Sequence, residues 1–172
     1  MRQVCARWGE PEVVRGCAEL LRTGPPDEGY LLNLAMSLGE LSDRNFFSTG
    51  KPPGHGYWAR VWAVRALLYV WADEAVSAVV AALQDQHWRV REMAARVVVV
   101  RELAQAADAL LGDVDDPTPR VRIAVARALA VVGEAEHAHG LQTIRADPEP
   151  LVAASGAAAL QALSRRLDRA FD

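Results

Sequence analysis

Apolar residues in the second half of the chain recur at helical spacing. Val121, Val125, Ala128 and Val132 form one stripe of a segment that opens with Thr118 and Pro119 and closes at Gly133. Proline suits a first helical turn because its missing N–H would find no partner there, a threonine hydroxyl can cap that turn, and glycine suits a left-handed exit. The polar and apolar columns around this stripe repeat every 31 residues. Asp85, Asp116 and Asp147 are one column, Arg60, Arg91 and Arg122 a second, and Arg65, Arg96 and Arg127 a third. Val90, Val121 and Val152 keep the same step, as do Val79, Leu110 and Leu141. A fixed period carried by both kinds of column predicts stacked copies of one supersecondary unit.

Each unit reads as two antiparallel helices joined by a short turn. First helices are predicted at about 73–84, 103–113 and 134–146, and second helices at about 57–71, 87–101, 118–133 and 149–168. The turn Asp116-Pro117-Thr118-Pro119 returns as Asp147-Pro148-Glu149-Pro150. The expected fold is therefore all-α, a right-handed α-solenoid forming a single domain over 1–172. Residues 12–22 and 28–41 are also helical in pattern, broken by Gly24, Pro25 and Pro26, but lie off the 31-residue grid. This places an irregular amino-terminal cap at 1–41, a Gly- and Pro-rich loop at 42–56, and the repeats with a carboxy-terminal cap at 57–172.

Composition narrows the function classes. Nineteen basic against 22 acidic residues give a net charge of −3 and a pI near 5.8, which argues against a surface built wholly for nucleic acid or anionic membrane. The amino terminus lacks the apolar run of a secretory signal and no stretch reaches membrane-spanning length, so a cytoplasmic protein is expected. Cys5 and Cys17, twelve apart on what reads as one helix, are too far apart to pair and are expected as free buried thiols.

The run Asp85-Gln86-His87-Trp88-Arg89-Val90-Arg91, the run from Asp115 to Arg122, and the Ala-rich helices that follow resemble bacterial HEAT repeats of the kind also seen in phycobilin lyases. In that family an Asp in the turn and an Arg six residues on form a ladder through successive repeats. The resemblance implies that ladder for Asp85 with Arg91 and Asp116 with Arg122, and implies its end at the last unit, where Ala153 replaces the arginine. It covers roughly residues 57–165 and speaks for fold; the family hosts scaffolds, adaptors and a few enzymes.

The candidate chemistry is that of binding. Arg65, Arg96 and Arg127 lie five residues beyond the ladder column, about 140° further round the helix, and have no acid at a fixed offset. They read either as a row on a concave face, suited to an acidic segment, or as a solvated face. Phe46, Phe47, Tyr57, Trp58, Trp62, Tyr69, Trp71 and Trp88 gather around the loop and the first full repeat, as a core beneath the loop or as an exposed hot spot beside Arg65. His137 and His139 diverge on a helix and read as surface histidines, and no nucleophile, phosphate-loop or metal-ligand pattern stands out. The expectation is a non-enzymatic protein without metal or cofactor that binds a partner through Arg65, Arg96, Arg127, Trp58 and Trp62. The alternative is nucleic-acid binding or base repair, by resemblance to HEAT-like-repeat DNA glycosylases, with Asp73 beside Trp71. A pigment lyase is a third option, carried by the family resemblance alone.

Overall fold

The computed structural model describes residues 1–49 and 54–171. Part of the expected loop, residues 50–53, lies outside them. The chain is all-α, and no strand occurs among the described residues. It divides into two compact units, Met1–Ala82 and Leu83–Asp172.

The first unit holds α1 (Arg2–Trp8), α2 (Glu10–Thr23), α3 (Gly29–Leu38), α4 (Tyr57–Ala66) and α5 (Val76–Ala82). α2 is its centre, because Val13, Val14, Cys17, Leu20 and Leu21 sit on one helical face and are buried where α2 meets α4 and α5. Cys5 and Cys17 do not share one helix. Gly9, at φ 81°, ends α1, and Pro11 helps open α2. Cys17 is buried, and that burial pushes its thiol up to about 12, whereas Cys5 is only half-buried. α4 is shorter than the apolar pattern implied: it ends at Ala66 and gives way to turns.

The second unit carries the repeats: α6 (Trp88–Arg101), α7 (Ala107–Leu110), α8 (Pro119–Val132), α9 (Ala138–Arg145) and α10 (Pro150–Leu167). α8 packs against α6 on one side and α10 on the other, as the second helices of stacked pairs should. The first helices α7 and α9 are each entered through a short 3-10 turn, so they are shorter than the pattern implied.

Each second helix opens on the same device. Asp85, Asp116 and Asp147 accept the backbone N–H of His87, Thr118 and Glu149 at 2.8, 2.7 and 2.9 Å. The carboxylate thus fixes the turn that leads into the helix by holding the N–H of the N-cap residue, while the Thr118 hydroxyl makes no cap bond. Gly133 does not take the left-handed exit either, its φ being −68°. It is glycine because a Cβ would lie 2.5 Å from the Leu129 carbonyl oxygen.

The Asp and Arg columns connect neighbouring repeats. Arg91 Nε donates to Asp116 at 2.6 Å and Arg122 Nε to Asp147 at 2.6 Å, while each arginine's Nη1 reaches back to the carbonyl of Asp85 or Asp116 at 2.7 and 2.6 Å. The ladder arginine therefore pairs with the next repeat's carboxylate, not with the acid six residues before it. Asp147 receives the last such arginine.

Candidate functional site

One hollow of the first unit, about 490 Å³ beside α2, is lined by the ion pairs of Arg15 with Glu12 and Arg22 with Glu19, and by Glu74. Both of its cations are thus matched. In a second cleft, of about 290 Å³, the cation is not. Trp62 and Arg65 of α4 and Tyr69 just beyond it form one wall, Met1 and Val4 of α1 another, and Leu38 and Glu40 at the end of α3 a third. Tyr69 is 67% exposed, the Arg65 side chain is exposed, and Trp62 is half-buried. The contact found for the Arg65 guanidinium is a long one, 3.5 Å to the Leu38 carbonyl. The cleft thus brings together an exposed aromatic ring and a cation whose contact among the described residues is a carbonyl, residue types enriched in recognition hot spots, in a lining that mixes Met1, Val4 and Leu38 with Ser37 and Glu40.

The Trp62 ring is fixed from behind. Phe46 and Phe47 from the loop lie 5.8 and 5.9 Å from it, Trp58 stacks on it at 5.7 Å, and Phe46 in turn stacks on His55 at 4.6 Å. Gly39 makes room for it, since a Cβ there would sit 2.3 Å from the indole ring. The described part of the loop thus folds over one side of Trp62 and leaves Tyr69 outside the stack. Trp58 is half-buried in that stack. Trp88 belongs elsewhere, in the second unit, with the Arg89 and Arg120 guanidinium groups 4.5 and 5.5 Å from its ring.

Arg96 on α6 and Arg127 on α8 are exposed at equivalent positions of neighbouring repeats, and neither makes an ion pair or hydrogen bond among the described residues. Arg65 belongs to the first unit, these two to the second. Trp71 donates its indole N–H to Asp73 at 3.3 Å. His137 is not on the surface. It is 4% exposed, accepts the Glu134 N–H at Nδ1 and meets Asp108 through Nε2 at 3.1 Å, whereas His139 is exposed. Among the described residues no three His, Cys, Asp or Glu side chains converge as metal ligands, and no helix is long and apolar enough to cross a membrane.

No protein-family model matches the chain, and no curated protein matches it in sequence. Among solved structures it is similar to the complex of CpcE and CpcF of phycocyanin lyase from Nostoc sp. PCC7120, at a TM-score of 0.59 and 23% identity over 81% of this chain. The two share a HEAT-like helical fold. The chain spans 55% of the length of that structure's chain. The likeness corrects one expectation. Helical repeats of this kind form part of a lyase, so the fold gives no ground for holding the chain to be non-enzymatic, and that reading is withdrawn.

Two features escaped the sequence reading. Tyr69 falls within the helix expected at about 57–71, but α4 ends at Ala66 and the turn beyond it leaves Tyr69 exposed. Asp113 is buried. Its signal was present in the 31-residue grid, where its column otherwise holds Ala82 and Ile144.

Proposed function

We propose that this chain is a HEAT-like subunit of a two-protein, lyase-type assembly, and that the Trp62, Arg65 and Tyr69 cleft receives a segment of its partner. One observation carries the reading: an exposed ring and a cation that, among the described residues, has no carboxylate partner stand together over a cleft that also presents Met1, Val4 and Leu38, with the Trp62 ring held from behind by the described part of the loop. Preformed aromatic and arginine anchors lose little entropy on binding and dominate interface energetics. The partner segment that fits carries an apolar side chain for the Met1, Val4 and Leu38 walls and a carboxylate for Arg65. Arg96 and Arg127, in the second unit, are cations of their own for an acidic segment. The complex of two proteins in the similar lyase structure supports a protein as the ligand.

A photo-reactive phenylalanine analogue at position 69, in the full chain expressed in its own cells, tests this. A discrete cross-linked protein that disappears with Arg65→Glu and persists with Arg145→Glu is the expected result. Cross-linking indifferent to Arg65→Glu would remove the cleft from the interface.

A further inference from the structure

The 31-residue grid sets Ala82, Asp113 and Ile144 in one column. Ala82 and Ile144 are buried apolar residues, 5% and 0% exposed, and Asp113 is buried equally deeply at 5%. A carboxyl thus occupies a position that the flanking repeats fill with hydrocarbon, and its Oδ2 has no hydrogen-bond partner among the described residues. Burying an ionised carboxylate without donors is costly, so the site favours the neutral acid.

The charged groups around it explain why no donor is free. Arg91 of α6 is the cation that acts on it, but Nε and Nη2 of Arg91 are engaged by Asp116, and Nη1 by the carbonyls of Asp85 and Gln86. On α8, Arg120 pairs with Glu92 and Arg122 with Asp147. Asp108 of α7 is turned to His137, and on α9 His139 and Arg145 are exposed. Asp115 and Asp116, beside it in sequence, add negative charge. Burial first, then Asp116, pushes the Asp113 carboxyl up to about 6.

We propose that Asp113 is a proton-controlled latch on the turn between α7 and α8, packing as a core side chain when protonated and loosening residues 111–118 when ionised. Ionised, it competes with Asp116 for Arg91 or draws the turn toward water. Either movement disturbs Asp116, whose Oδ1 caps α8 through Thr118 and whose Oδ2 holds Arg91. The same turn bears on α9, where a Cβ on Gly140 would lie 2.7 Å from Leu111 and 3.1 Å from Val114. A carboxyl raised on folding contributes stability that is complete below the ordinary carboxylate value and is lost as pH rises through about 6. The latch therefore opens as pH rises from the ordinary carboxylate range through about 6.

The test uses the full chain. Carboxyl-carbon NMR should show Asp113 titrating near 6. Amide exchange at 114–122, corrected for its intrinsic pH dependence, should lose protection by up to about a hundredfold between about pH 3 and neutral pH, most of it before pH 6 is passed. In Asp113→Asn, which keeps the shape of the neutral acid, that loss should be absent. An Asp113 titration in the ordinary carboxylate range, or an unchanged pH dependence in Asp113→Asn, overturns the proposal. The wild-type titration decides it even where the variant folds poorly, and Asp113→Ile, the residue of the next repeat, serves as the second variant.

Discussion

Arg122 joins two repeats with one side chain. Its Nε and Nη2 hold Asp147 at 2.6 and 3.0 Å, its Nη1 holds the Asp116 carbonyl, and the two paired side chains are 10% and 8% exposed. Removing one member of so enclosed a pair leaves the other charge without compensation, so Arg122→Met should destabilise the chain by about 3 kcal/mol in urea unfolding at neutral pH. The hydrogen bond from Arg122, aided by the Glu149 N–H, holds the Asp147 carboxyl below its ordinary range. A depressed carboxyl stabilises the fold above its unfolded value and loses that contribution as pH falls through its folded value. The gap between wild type and Arg122→Met should therefore narrow in acid. A gap that stays constant down to about pH 3 would mean that the arginine acts by packing its stem alone.

At the scale of elements, the period and the helix types were legible because the columns are set by packing between equivalent helices, which repeats whenever the pair repeats. Where helices end was less legible. Gly133 exits in extended backbone while Glu102 and Asp168 take left-handed exits without being glycine, so exits follow local close approach as much as residue type. The candidate site was half legible for the same reason: Trp62 and Arg65 lie within α4, but the helix expected at about 57–71 ends before Tyr69. Glycines that mark close approaches give sharp predictions here. A Cβ on Gly156 of α10 would lie 2.5 Å from the Arg145 backbone nitrogen and 2.7 Å from the Ile144 carbonyl carbon, and backbone atoms cannot step aside as a side chain can. Gly156→Ala should lower stability by about 1–3 kcal/mol in a thermal melt by forcing α9 and α10 apart. For Gly39→Ala the nearest atoms are those of the Trp62 ring, so its expected effect is a displaced indole. Tryptophan emission should shift to the red, and cross-linking from position 69 should fall with it. Unchanged emission would show that the ring has slack behind it.

For the whole molecule, 19 basic residues against 22 acidic leave no general attraction for an anionic polymer, so any capture of acid must be local. Arg96 and Arg127 are the cations to test in the second unit. Exposed and without an ion pair or hydrogen bond among the described residues, they should be reversible to Glu together within about 0.5 kcal/mol of wild-type stability. If an acidic protein segment is the ligand of the second unit, the double reversal weakens retention of an acidic peptide and wild type retains no duplex DNA at low salt. If a phosphate backbone is the ligand instead, wild type retains duplex DNA with an affinity that falls linearly on a logarithmic salt scale, and the reversal flattens that slope by about two counterions. The two outcomes separate because protein capture depends on shape as well as charge, whereas backbone capture follows the number of phosphates neutralised.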